Sequence, residues 1–411
     1  MQYPSPNQPL SIKLINRVGR GLNKMGLEKP ALQPVETLLR KAKEQSGLSD
    51  FGDESFVPAL EKLTYSLETE ARLSQLGRIA VHSMLMDCLK LRLGIMEYRK
   101  QRPEVSQQKI TRPLFVMGLP RTGTTILYEL LAQDPAHRSP STWEVEQPIP
   151  PPQRHSYRTD SRIAEVEENV KKMEMLAPGF KAIHAMGAEL PQECVALLAP
   201  HFISDQFGVS FTVPQYRHWT LDQDMTAAYQ WHEKFLQHLQ VDYAEQRWVL
   251  KTPPHLAYLD TVIKQYPDAA FVQTHRDPME VVGSVSSLAC TLHSAFSDDI
   301  DPVVTAHAEV VYFSEMLKRG MQKRAALPDE DTRIFDIQFT DMISDPISVI
   351  ENLYAHFGFD FSDTVRLAMQ NYLKNRPRDK HGEHHYTLQQ FGLSEQQHGP
   401  LFAQYCQRFG L

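Results

Sequence analysis

A short apolar run that ends in a glycine-bearing turn and passes straight into a helix constrains this chain more than any other stretch. Leu114-Phe115-Val116-Met117 has the unbroken apolar character of a parallel strand buried on both faces. It leads into Gly118-Leu119-Pro120-Arg121-Thr122-Gly123-Thr124-Thr125, and apolar residues at helical spacing follow from Ile126 to Ala132. The two glycines let the backbone curl so that successive N–H groups face an anion. The positive end of the next helix adds to that field, and Thr124 and Thr125 offer hydroxyl donors.

Three more strands of this kind are expected, at Trp248-Val249-Leu250, Ala269 to Thr274 and Thr332 to Gln338, each followed by a helical pattern. Strands alternating with helices predict an α/β fold, a P-loop-type parallel sheet flanked by helices. Ligands of such sheets sit at the C-terminal strand ends. Two of the strands end in unusual polar residues, Lys251-Thr252-Pro253-Pro254-His255 and His275-Arg276-Asp277-Pro278. Residues 1–105 read as an N-terminal helical region, with helical spacing sustained from Phe56 to Tyr98. Residues 106–411 then form the sheet-containing domain. The proline-rich stretch Gln147 to Gln153 is a stiff linker, and helical patterns from Ile163 to Leu239 predict a helical cap inserted at about 150–245.

Bulk properties exclude several functions. The 411 residues are 42% hydrophobic and 23% charged, ordinary for a globular protein. A net charge of -7 argues against a nucleic-acid partner held through phosphate neutralisation. Cys88, Cys194, Cys290 and Cys406 are scattered, so neither a metal cluster nor a disulfide framework is expected, and reduced cytoplasmic thiols are. No secretory leader is expected at the start, and no apolar run reaches the ~18 residues of a membrane span. Ser11 to Met25 carries Lys13, Arg17, Arg20 and Lys24 beside apolar residues at helical spacing. Such a segment either rests on an anionic membrane surface or packs on the body with a solvated basic face.

The glycine turn departs from that of nucleoside triphosphatases, which place Lys directly after the second glycine. Here Thr124 stands at that position, and the cation is Arg121, inside the loop. A P-loop kinase acting on ATP would need that Lys and a metal-binding acid. It remains the alternative, together with a non-catalytic nucleotide-binding member of the fold.

The segment Pro120-Arg121-Thr122-Gly123-Thr124-Thr125 resembles the donor loop of the PAPS-dependent sulfotransferase family, in its large bacterial-type branch. PAPS is 3'-phosphoadenosine-5'-phosphosulfate, and the resemblance implies that this loop holds its 5'-phosphosulfate end. It also implies that Arg276 and Ser284, eight residues on, grip the 3'-phosphate. An arginine fork suits that task. Thr142 to Pro148, Leu250 to Leu256 and Tyr386 to Leu393 also look like the branch, whereas the Arg-Lys-Gly motif of the animal enzymes is missing and Lys380-His381-Gly382 is its weak counterpart.

The implied activity is transfer of the sulfuryl group to a hydroxyl of a small-molecule or carbohydrate acceptor, with release of 3',5'-ADP and without a metal. Arg121 would stabilise charge on the bridging and sulfuryl oxygens, and Lys251 would contact the sulfuryl group or the leaving phosphate. Glu144, after the first helix, and His255, at the second strand end, both stand as candidates for the proton acceptor. His184, Glu189, Glu193 and His201 in the cap are candidates for lining the acceptor pocket, as are Trp219 and Trp231.

Overall fold

Alternation along the strands decides how the sheet is covered. The computed structural model describes residues 32–176, 187–243, 246–375 and 387–411. Five strands, β1 (Leu114–Gly118), β2 (His137–Arg138), β3 (Arg247–Lys251), β4 (Ala270–His275) and β5 (Ile334–Gln338), form one sheet in the order β2-β3-β1-β4-β5. Every neighbouring pair is parallel. All five residues of central β1 are buried, whereas edge strand β5 is partly exposed, as burial on both faces of a central parallel strand requires.

Phe115 and Met117 enter a large core shared with the N-terminal helices and the cap. Leu114 and Val116 enter a second core with the helices Thr124–Leu131 and Pro346–Phe357. The two-residue period of a strand thus sends β1 into both layers. The N-terminal helices Val35–Ser46, Val57–Thr69 and Gln75–Gln101 contribute Leu38, Leu60 and Leu89 to the first core, so this region packs on the sheet domain through a continuous apolar surface. The cap lies between β2 and β3 and includes the helices Ser161–Leu176, Pro214–Leu221 and Thr226–Gln240.

The helical reading from Phe56 to Tyr98 needs one correction. The stretch is broken at 70–74, where Arg72 has φ 44° and Ser74 caps the next helix through Gly77 N. Leu73 bridges Ser297 across that break, a long-range contact invisible to local spacing. The short strand β2 was also not foreseen, since two residues carry no period. The basic segment Ser11 to Met25, His184 and Lys380-His381-Gly382 lie outside the described residues.

Candidate active site

The turn after β1 is shaped by three left-handed residues. Gly118 has φ 128°, Arg121 φ 64° and Gly123 φ 87°. Gly118 lies opposite Thr274 of β4, and a Cβ there would stand 2.6 Å from the Thr274 carbonyl oxygen. Only glycine allows β1 and β4 to approach so closely at this point. Thr122 is fully buried; its hydroxyl donates to the Leu119 carbonyl at 2.6 Å and stands 2.6 Å from the Thr274 hydroxyl. These contacts fix the curl of the loop. The helix Thr124–Leu131 starts from Gly123 with no side-chain cap, so its first N–H groups remain available to an anion.

Two cations join the turn from neighbouring strand ends. Arg276, just past β4, donates from Nη1 to the Arg121 carbonyl at 3.0 Å and from Nε to Glu280 at 2.9 Å. Its guanidinium lies 4.2 Å from the ring centroid of Phe339, at the end of β5. Ser284 lies further along the helix Pro278–Phe296, which Asp277 caps through Met279 N. Lys251 ends β3 almost wholly buried, donating from Nζ to Thr125 Oγ1 at 3.1 Å and to Glu193 Oε1 at 2.7 Å. Pro120, Arg121, Thr122 and Gly123 thus form one turn that runs into Thr124 and Thr125 at the head of the helix, with Arg276 on one side and Lys251 on the other.

The two expected proton acceptors sit in other surroundings. Glu144 is fully buried and both its oxygens are engaged. Oε1 accepts from Ser141 N and from the Tyr157 hydroxyl, each at 2.9 Å, and Oε2 accepts from Arg138 at 2.6 Å. Arg138 is itself held between the rings of Tyr243 and Trp248, at 4.3 and 4.4 Å from their centroids. Glu144 therefore neutralises a buried arginine and closes a helix cap. Its pattern was present in the sequence as Ser141-x-x-Glu144. Glu144→Ala would strand Arg138 and is expected to cost about 3–5 kcal/mol of stability in a urea titration. Unchanged stability with lost transfer would assign Glu144 to the chemistry instead.

His255 is also fully buried, in the 3-10 turn Pro253–Tyr258. The Tyr229 hydroxyl meets its Nδ1 at 2.7 Å, and Phe115 packs edge-on against its ring. Burial pushes its pKa well below the ordinary imidazole value, with a further push from His232. A neutral, enclosed imidazole anchors the turn but offers no surface to an acceptor.

Glu193 emerges instead. It starts the helix Cys194–Leu198, and its side chain keeps 19% of its surface while ion-paired to Lys251. In the sequence it was only one of several polar cap residues. Its signal was an acidic residue directly before the apolar run Cys194-Val195-Ala196-Leu197-Leu198. His201, another cap candidate, packs beside Arg92 in the core, and burial lowers its pKa to about 3.

Arg276 and Lys251 flank a curled turn that itself carries Arg121, at the C-terminal edge of a parallel sheet, and Lys251 is paired with a partly exposed carboxylate. That arrangement suits an anionic ligand at the end of an α/β sheet. The chain belongs to the sulfotransferase family, whose model matches residues 113–363, and it is a sulfotransferase. It is 26% identical over 340 residues to the omega-hydroxy-beta-dihydromenaquinone-9 sulfotransferase Stf3 of Mycobacterium bovis, covering 79% of this chain and 81% of that protein. The crystal structure of sulfotransferase STF1 from Mycobacterium tuberculosis H37Rv superposes with a TM-score of 0.82 at 32% identity, over 92% of this chain and all of that one. Sulfotransferase STF9 from Mycobacterium avium gives 0.84 at 27% identity, over 93% and 98% of the two chains. Among the described residues no helix is long and apolar enough to cross a membrane.

Proposed function

We propose that the chain transfers the sulfuryl group of PAPS to a hydroxyl of a lipid-like small molecule, releasing 3',5'-ADP, in the cytoplasm. The observation that carries the donor assignment is the 3.0 Å contact between Arg276 and the backbone of Arg121. It brings the Arg276 fork beside the curled turn at the tips of β1 and β4, which supports a single nucleotide carrying its anionic groups on the 3' and 5' carbons of one ribose. The curled loop with Arg121, Thr124 and Thr125 receives the 5' end, and Arg276 with Ser284 receives the 3'-phosphate. The lipid-like acceptor is supported by the likeness to Stf3, whose name gives an omega-hydroxy-beta-dihydromenaquinone-9 as its substrate.

In the reaction the acceptor oxygen bonds to sulfur as the bond from sulfur to the bridging oxygen of the 5'-phosphate breaks. The bonding pair stays with the phosphate, and the hydroxyl proton passes to Glu193. Arg121, Lys251 and the loop N–H groups stabilise the charge that shifts toward the phosphate. Lys251 holds Glu193 on one side and touches the loop through Thr125 on the other. It thus couples the proton acceptor to the donor site. Glu193 is preferred to Glu144 and His255 because it alone of the three keeps an open face.

The donor test is thermal unfolding with nucleotides. 3',5'-ADP is expected to raise the melting temperature and Mg-ATP to leave it unchanged; the reverse result would favour an ATP-dependent kinase. Arg276→Ala is expected to weaken 3',5'-ADP binding by roughly 10–100-fold, the loss of about 1.5–3 kcal/mol for hydrogen bonds to a charged group. Isothermal titration would measure it, and an unchanged affinity would remove Arg276 from the site.

A further inference from the structure

We propose that the helix Ala403–Phe409 belongs to the frame of the donor site: through Tyr405 and His275 it positions Arg276, and so sets how well the enzyme tells a nucleotide with a 3'-phosphate from one without. The inference rests on the sulfuryl-transfer reading above, in which Arg276 takes the 3'-phosphate. His275 and Tyr405 are positioning residues in it and act through that arginine.

His275 is the last residue of β4 and stands directly before Arg276. Its side chain is fully buried. Nε2 lies 2.7 Å from Asp336 Oδ1, and Nδ1 lies 2.7 Å from the Tyr405 hydroxyl. Arg324 forks onto Asp336 at 2.7 and 2.8 Å and, with His275, holds its pKa below the usual carboxylate value, so that group is ionised and can only accept. Nε2 therefore donates to Asp336, and Nδ1 accepts from Tyr405. The imidazole also stacks on Phe409, with 4.0 Å between ring centroids. Both nitrogens and one face of the ring are thus engaged, and two of the three partners come from the helix Ala403–Phe409.

The same helix holds the neighbouring strand. Gln338 is the last residue of β5 and the register partner of His275, and its Nε2 donates to the Phe409 carbonyl at 2.8 Å. Arg408 donates to Glu330 at 2.5 Å, and Glu330 also accepts from Arg324 at 2.7 Å. The tips of β4 and β5 are therefore tied to one body.

Arg276 follows from this as a side chain on a pinned backbone. His275 is locked on one side of it, and on the other Asp277 caps the helix Pro278–Phe296 through Met279 N at 2.8 Å. A planar guanidinium reads a phosphate through two parallel bonds, so its orientation matters as much as its charge. Loosening the residue before it turns the fork while leaving the charge in place, and misplacement of that kind weakens recognition.

The test compares 3',5'-ADP with 5'-AMP by isothermal titration on the full chain. Wild type is expected to favour 3',5'-ADP, and Arg276→Ala to remove most of that preference. Tyr405→Phe deletes one hydroxyl and keeps the ring. It should reduce the preference about three- to tenfold, the scale of one hydrogen bond, with 5'-AMP affinity unchanged. Phe409→Leu removes the stack without removing a side-chain hydrogen bond and should act in the same direction; it carries the comparison if Tyr405→Phe is too unstable to titrate. In the Arg276→Ala background Tyr405→Phe should change nothing further, because its effect passes through that arginine. A lower melting temperature with the wild-type preference would reduce the helix to ordinary packing and overturn the inference, and so would a loss that persists in the double variant. An Arg276→Ala protein that keeps the full preference would instead overturn the 3'-phosphate reading beneath it.

Discussion

Replacing Glu193 by glutamine is expected to lower kcat for an alkyl alcohol by about 10²–10⁴-fold, the usual contribution of a positioned general base. Glutamine keeps the size of the side chain and an oxygen for the Lys251 bond, now 2.7 Å, so the loop and the nucleotide affinity should persist. The test that separates proton transfer from positioning is the choice of acceptor. A nitrophenol, already ionised near neutral pH, needs no base, and its transfer rate in Glu193→Gln should fall far less than that of decanol. If both acceptors lose rate equally, Glu193 acts only by holding Lys251, and proton acceptance must be assigned elsewhere.

Mild acid is expected to unfold this protein by a route that carboxylates do not control. His201 and His232 are buried, with pKa values lowered to about 3, and His238 and His293 are lowered to about 4. Burial is the main cause in each. His137, His255 and His275 shift in the same direction. Unfolded imidazoles protonate near pH 6.5. Below that value the unfolded chain binds protons that the folded chain refuses, so stability is full above it and falls as the pH is lowered. Each such histidine removes up to about 1.4 kcal/mol per pH unit. Several together rival the whole stability of an ordinary domain, about 5–15 kcal/mol. Asp336 does not offset this loss, since Arg324 and His275 hold its pKa below the usual carboxylate value and its contribution is lost only at lower pH. The urea midpoint should therefore drop steeply between about pH 7 and about pH 5.5. A flat profile over that interval would show that these imidazoles open to water at little cost.

The turn after β1 was legible because its geometry is local. Gly118 and Gly123 at their spacing, an apolar strand before them and a helix after them specify a curled backbone without reference to distant residues. Arg276 stood out only through the resemblance to the sulfotransferase family, since a lone cation past a buried strand is as readily an ordinary strand-end charge. The break at 70–74 was missed because Leu73 meets Ser297 across the fold, and helical spacing is blind to such a partner.

The proton-transfer half was not legible. On paper Glu144 and His255 are the candidates and Glu193 only a polar cap residue, because a residue type states what a group can do and burial decides whether it does so. Glu144 is drawn inward by Arg138, His255 by Tyr229, and Glu193 is left facing outward by Lys251, 58 positions away. The sequence by itself determined the parallel sheet and the glycine-shaped turn after its first strand, since backbone conformation and burial period are properties of neighbouring residues. The tertiary structure alone decided which carboxylate stays open. Solvation of a charge depends on everything packed around it, and that packing brings together segments far apart along the chain.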